Sequence, residues 1–347
     1  MKKKLVATIS IIICIFLSGC GILSISVDKD GKEENQTPGR NIVIGFSQLG
    51  AESDWRSANT ESMKTTFTKA EGYEFIFEDG QQKQANQITA IRKFIQQEVD
   101  YIVLAPVTET GWDTVLQEAK NAGIPVIIVD RMIDVDDDSL FTCWVGSNFE
   151  LEGKKATKWL ERYVEINEIK HKDIHIVNIQ GTIGASAQIG RTKALRDAAD
   201  ANGWDLIAEV PGDFTQAKAR EQMSSLLEQY DNINVVYCEN DNEAFGAIEA
   251  IEAAGKVVGN NITEGEIMII SFDGVNENAI EFVKNGKIAC IAECNPLHGP
   301  RVQAIIELLE IGGSPDKLSY VEELFFSADR TVTQLSIDER NYGVVIP

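Results

Sequence analysis

Histidine is scarce in this chain of 347 residues: three are present, His171, His175 and His298, far apart and with no C-x-x-C pair beside them, so a zinc site has little support. Positive charge is equally short. Lysine and arginine number 32 against 54 acidic residues, a formal net charge of −22, which disfavours nucleic acid as a partner. The loops that cradle phosphates are missing as well. Asp79 to Gln84, DGQQKQ, lacks the Lys-Ser pair of a P-loop, and Gly181, Gly184 and Gly190 have neither the spacing nor the downstream acid of a dinucleotide fingerprint. Asp134, Asp136, Asp137 and Asp138 have no glycine at the turn and no closing glutamate, so they read as a solvated acidic turn rather than a calcium loop. No solenoid-length repeat occurs. The expected cofactor list is empty.

Long apolar runs are absent after the first twenty residues, where MKKK precedes LVATISIIICIFL and then LSGC ending at Cys20. This is a secretory signal peptide, too short and wrongly flanked for a membrane span. LSGC resembles the bacterial lipoprotein processing site, which implies cleavage before Cys20 and a diacylglyceryl thioether on it. Ordinary cleavage is disfavoured because no A-x-A-like site is present. The mature chain would sit outside the cell, lipid-anchored to the membrane through Cys20. Losing Lys2, Lys3 and Lys4 takes its charge from −22 to −25. Residues 21–40, charged and turn-rich, read as a flexible tether. Of six cysteines, Cys143, Cys238, Cys290 and Cys294 then remain. An exported even number permits disulfides, yet Cys290 and Cys294 lie on one predicted strand, ~13 Å apart at a strand rise, beyond the reach of a bridge.

What is present is a steady alternation of strand and helix. Ile42, Val43, Ile44 and Phe46 form an apolar run suited to a strand buried on both faces, and Gly50 opens a turn into an amphipathic helix. YEFIFEDG, YIVLAPV and PVIIVDR continue as strands with helices between them, and FTCWVGSN leaves this first unit. A second run follows with IHIVNIQG, DLIAEVPG, NVVYCEND, IMIISFDG and IACIAECN as its strands. The pattern predicts an α/β chain with two Rossmann-like lobes, each a parallel sheet of five or six strands flanked by helices, with a cleft between them. The tail from Pro300 returns to finish the first lobe and cross the hinge. Residues 41–146 with 295–326 are assigned to the N-terminal lobe, and 147–294 with 327–347 to the C-terminal lobe and hinge return. Trp112, Trp159 and Trp204, on or beside predicted helices, read as packing residues.

Polar residues at the carboxyl ends of strands carry the chemistry, since ligands of open α/β sheets bind there. In the first lobe these are Glu52, Ser53, Asp54, Trp55 and Arg56, followed by Asp130 and Arg131. In the second they are Arg191, Asn240 with Asp241, Asp273, and Glu293 near the crossover. An aromatic face covers the C–H face of a sugar while carboxylates and guanidiniums take its hydroxyls. The competing reading of the first group is a helix capped by Ser53 or Asp54 with Trp55 in the core.

IVDR, QGTIGASAQIGR, CEND and SFDG resemble, in order and spacing, the ligand-contact motifs of type I periplasmic sugar-binding proteins of the ribose-binding class, over nearly everything after residue 41. SQLGAESDWR and DGQQKQANQITAIR are similar to the galactofuranose-binding members of that class. The resemblance implies the periplasmic binding protein type I fold with a three-crossover hinge, and a lipid-anchored, monomeric protein that passes a monosaccharide to an ABC permease and its ATPase. It carries binding roles onto Glu52, Ser53, Trp55, Arg56, Asp130, Arg131, Arg191, Asn240 and Asp273. Glu293, where ribose binders commonly have Gln, argues against ribose itself. Two other outputs remain to be weighed. The same binding event serves a sensor kinase or chemoreceptor equally well, and Asp273 with Glu293 or Asp130 suggests a glycosidase pair. Interleaved arginines oppose the enzyme by lowering carboxylate pKa values and removing the general acid.

Overall fold

The strand-helix alternation builds two sheets of six strands each. The computed structural model describes residues 40–347; the signal peptide, Cys20 and the tether through residue 39 lie outside the described residues. In chain order the first lobe contains β1 (Ile42–Gln48), α1 (Asp54–Thr66), β2 (Tyr73–Asp79), α2 (Gln84–Gln96), β3 (Tyr101–Leu104), α3 (Asp113–Asn121), β4 (Val126–Val129) and β5 (Cys143–Gly146). The second follows with α4 (Phe149–Ile166), β6 (His175–Gln180), α5 (Ser186–Asn202), β7 (Asp205–Pro211), α6 (Gln216–Gln229), β8 (Val235–Cys238), α7 (Asp241–Ala253), β9 (Met268–Asp273), α8 (Glu277–Lys284) and β10 (Cys290–Glu293). The tail adds α9 (His298–Glu310), β11 (Leu318–Tyr320), β12 (Phe325–Ser327), β13 (Gln334–Ile337) and β14 (Arg340–Gly343).

The sheets repeat one topology. The first runs β11-β5-β4-β3-β1-β2 and the second β12-β10-β9-β8-β6-β7. Every pairing is parallel except that of β12, which runs antiparallel to β10. Strand order reverses beside β1 in one lobe and β6 in the other, so a crevice opens at the carboxyl ends of both. Ile44 and Phe46 are fully buried on one face of the sheet in a cluster with Met63 of α1 and Val302 of α9, while Val43 packs against the cluster on the other face, as an apolar run on a two-faced parallel sheet requires.

Three crossovers join the lobes, between β5 and α4, β10 and α9, and β11 and β12, because the tail pairs β11 with β5 and then β12 with β10. The β13–β14 hairpin then brings Leu335 and Ile337 into the buried cluster of Trp159 and Leu160 on α4. Trp112, Trp159 and Trp204 are packing residues in these cores. Cys143, Cys238, Cys290 and Cys294 are buried and free, so no disulfide forms among the described residues.

Candidate functional site

At the end of β1 the chain turns into α1, and Ser53 caps that helix by accepting from the Arg56 backbone N–H at 3.2 Å. The cap fixes the first turn so that Trp55 and Arg56 project into the crevice. Capping and a place on the cavity wall thus coexist. Trp55 donates Nε1–H to the Cys294 carbonyl at 2.7 Å, and the Arg56 guanidinium stacks on its ring at 4.6 Å. Arg56 Nη2 also donates to Asp130 Oδ2 at 2.6 Å. Arg131 donates to Glu52 at 2.7 Å and to the Val107 carbonyl at 3.0 Å, while its guanidinium lies 5.1 Å from the ring of Phe214 in the opposite lobe.

The second lobe answers with Arg191. Its Nε donates to Glu152 at 2.8 Å and its Nη2 to Asp273 at 3.3 Å, and Nη1 bonds the Glu239 carbonyl. Gly153 lets α4 come this close to α5, since a Cβ there would sit 2.6 Å from the Cβ of Ala194. Gly181 does the same for Phe214, whose ring occupies the space a Cβ would need, at 1.9 Å. Asn240 caps α7 through Oδ1, accepting from the Glu243 N–H at 2.8 Å, and donates Nδ2–H to the Phe214 carbonyl at 3.1 Å.

Glu52, Ser53, Trp55, Arg56, Asp130 and Arg131 from one lobe line a single cavity with Arg191, Asn240 and Asp273 from the other. The space in it open to a water-sized sphere is about 20 Å³, room for about one water, so the lobes as they stand are closed tightly on it. Two strand-end aspartates on it, Asp130 at φ 63° and Asp273 at φ 89°, hold left-handed backbone conformations, a strain concentrated at functional sites. Among the described residues Arg56 Nη1 is buried with no hydrogen-bond partner, and Nε reaches no closer than 3.6 Å to Glu52 Oε1.

Electrostatics divide the two aspartates. Burial acts to raise the Asp130 pKa, but the Arg56 and Arg131 guanidiniums outweigh it and hold the carboxyl below its usual range. At Asp273 burial wins over Arg191, with Asp241 adding repulsion, and the pKa is pushed well up. The expectation that arginine keeps these carboxylates low therefore holds at Asp130 and fails at Asp273, where burial, with repulsion from Asp241 and Glu152, outweighs Arg191.

Two expected contacts lie off the cavity. Asp54 turns outward and bridges the lobes, accepting from Asn276 Nδ2 at 2.5 Å while its backbone N–H donates to Asn242 at 3.0 Å. Glu293 sits in the hinge, accepting from the Leu324 N–H at 2.6 Å and from Asn295 at 3.2 Å. Successive strand residues face opposite sides, so Cys294 and not Glu293 reaches the cavity. Sequence reasoning missed Phe149, Ala187, Phe214 and Cys294 in its lining. It also missed His298, buried with its ring 5.9 Å from that of Trp55 and its pKa pushed down to about 4 by burial.

Two α/β lobes on a three-strand hinge, closing around one cavity of paired charges and rings, define a two-lobed binding protein. The chain belongs to the periplasmic binding protein family, whose domain model matches residues 44–297. It is 38% identical over 307 residues to the galactofuranose-binding protein YtfQ of Escherichia coli (strain K12), covering 87% of this chain and 92% of that one. Among solved structures, a Mycobacterium smegmatis protein in complex with β-D-fucofuranose superimposes with a TM-score of 0.77 at 36% identity, covering 84% of this chain and 92% of the other. The binding component of the arabinose ABC transporter from Shewanella sp. ANA-3, bound to α- and β-L-arabinofuranose, gives 0.75 at 37% identity, with 84% and 93% covered.

Proposed function

We propose that this protein is an extracytoplasmic solute-binding lipoprotein of an ABC sugar importer, which captures galactofuranose or a related furanose between its lobes and presents it to the permease. The observation that carries the reading is the Arg56 Nη1 donor, buried without a partner among the described residues. Around it the Trp55, Phe149 and Phe214 rings line a cavity whose other charges are paired, Arg56 Nε itself facing Glu52 at 3.6 Å. A sugar hydroxyl accepts from such a donor without disturbing the pairs, and the rings cover its C–H faces. The furanose assignment is supported by the names of the relatives and by the placement of Glu52, Ser53 and Arg56 beside Trp55, where an exocyclic diol finds both donors and acceptors. Monomeric action, with each cavity complete within one chain, suits this role. Lipid attachment at Cys20 would hold the protein at the membrane through a tether of some twenty residues, numbered 21–40.

Calorimetric titration of the purified protein with D-galactose, L-arabinose, D-fucose and D-ribose tests the binding. Heat is expected with one or more of the first three and not with ribose. Tightest binding to ribose, or no heat from any sugar, rejects the assignment. Cys20→Ala tests the anchor by moving the protein from the membrane to the soluble fraction.

A further inference from the structure

Behind the cavity wall at Cys294, four donor atoms converge in the hinge. Cys294 Sγ, one carboxylate oxygen of Glu152 and one of Glu323 lie within 4.8 Å of one another. Ser147 Oγ stands 3.3 Å from that sulfur and 2.6 Å from Glu323 Oε1. Each donor comes from a different segment: Ser147 from the first crossover, Cys294 from the second, Glu323 from the third and Glu152 from α4. Glu152 is 1% exposed and Cys294 2%. Arg191 takes Oε2 of Glu152 at 2.8 Å, while among the described residues no amide, hydroxyl or cationic donor reaches the buried Oε1, which is left facing the Glu323 carboxyl. The Lys155 ammonium donates to the Glu323 backbone carbonyl at 2.8 Å. Two carboxylates buried this close require a positive charge between them.

We infer that Ser147, Glu152, Cys294 and Glu323 form a binding site for a divalent cation of borderline softness, zinc being the best match. Zinc accepts mixed sulfur and oxygen donors in a four-coordinate shell, whereas the hard cations calcium and magnesium avoid sulfur. With metal–sulfur and metal–oxygen bonds of about 2.3 and 2.1 Å, the edges of a tetrahedral shell come to roughly 3.4–3.6 Å. The Ser147–Cys294 distance of 3.3 Å is already of that size, while Ser147 and Glu323, hydrogen-bonded at 2.6 Å, must part by about 1 Å as the ion enters. Cys294 gives up its S–H proton to solvent as the sulfur–metal bond forms, and a proton held between Glu152 and Glu323 leaves with it. Two carboxylates and a thiolate around a 2+ ion leave one negative charge, which Arg191 on Glu152 offsets. Outer hydrogen bonds fix the ligands in place, from Arg191 Nε to Glu152 and from the Asn295 N–H to Glu323 at 2.8 Å. Glu152 and Glu323 also line a groove on the hinge side together with Lys155 and Tyr342, which gives an ion a path that avoids the ligand cavity.

The test uses the full chain, stripped of metal by a chelator and titrated with Co²⁺ as a spectroscopic probe. A sulfur-to-cobalt charge-transfer band is expected, saturating at one equivalent, displaced by Zn²⁺, absent in Cys294→Ser and retained in Cys143→Ser. Glu323→Gln should weaken Zn²⁺ binding at least tenfold against a chromogenic chelator, a readout that stands if Cys294→Ser does not fold. Zn²⁺ should also raise the melting temperature of the wild type. No band at excess Co²⁺, a band that survives in Cys294→Ser, or Zn²⁺ without effect on melting overturns the inference and leaves a proton alone bridging Glu152 and Glu323.

Discussion

Asp273→Asn should lower sugar affinity and raise stability at once. Asp273 lines the cavity and accepts from Arg191 Nη2 at 3.3 Å, and its backbone φ of 89° suits Asn as well as any residue but Gly. With the folded-state carboxyl held protonated by burial, the contact replaced is a neutral hydrogen bond worth about 0.5–1.5 kcal/mol, so the amide should weaken binding by roughly 2- to 13-fold. Stability moves the other way. Burial raises the folded-state pKa of Asp273 well above the unfolded value, so the folded protein holds the proton longer, and stability from this group is lost as pH rises toward the folded pKa. Each unit of pH across that window costs the wild type up to about 1.4 kcal/mol, a cost that Asn does not bear. Calorimetry gives the affinity, and thermal melts at a series of pH values give the stability, with the variant's advantage widening as pH rises above the unfolded carboxylate range. Sugar binding within twofold of wild type, or a melting temperature below wild type at pH 8, would refute the assignment of Asp273 as a desolvated ligand contact.

Sugar should close the lobes, because contacts from both are satisfied together only when the cleft shuts, and small-angle scattering should show a smaller radius of gyration at saturation; an unchanged radius argues against closure. Asp54→Ala removes acceptors for Asn276 and Asn242 across the cleft mouth, a loss of about 0.5–1.5 kcal/mol that stopped-flow should register as several-fold faster sugar release with little change in the association rate. Glu239 and His298 should tilt the pH profile of stability in opposite directions. Burial lifts Glu239 to about 7, so the folded state holds the extra proton above the unfolded pKa and stability falls as pH rises from about 4.5 to 7. Burial drops His298 to about 4, so the unfolded state holds the extra proton and stability rises across pH 4 to 6.5. Each effect is worth roughly 3 kcal/mol, and melts of Glu239→Gln and His298→Gln against wild type should show stability differences that slope oppositely with pH; parallel profiles contradict the burial argument.

The fold was legible because its signals are local. The run from Ile42 to Phe46 and the alternation after it follow from periodicity and chain length, and the two six-stranded sheets agree with them. Trp55 and Arg56 were legible in the same way, standing where a strand hands over to a helix. The hinge was not. Glu293 and Cys294 are adjacent, and which one reaches the cavity depends on the facing of β10, which one residue of register reverses. Phe214 reaches the cavity only because Gly181, far from it in sequence, carries no side chain. The raised pKa of Asp273 comes from its burial, with Asp241 and Glu152 adding repulsion, and the Arg191–Glu152 pair joins residues 39 positions apart that no motif records. Ser147, Glu152, Cys294 and Glu323 have no spacing signature for the same reason, since four segments of chain supply them.

The central claim, that the interlobe cavity holds a sugar in its furanose form, is tested most directly by a crystal structure of the protein grown with D-galactose, which supplies both ring forms in equilibrium. The furanose is a small fraction of that mixture, so selection by the cavity would lower the apparent affinity in proportion and yet leave one ring form in the crystal. A five-membered ring packed on Trp55, with a hydroxyl accepting from Arg56 and others donating to Asp130 and Asp273, is the predicted result. A six-membered ring in that cavity would contradict the furanose claim, and sugar bound elsewhere would contradict the site.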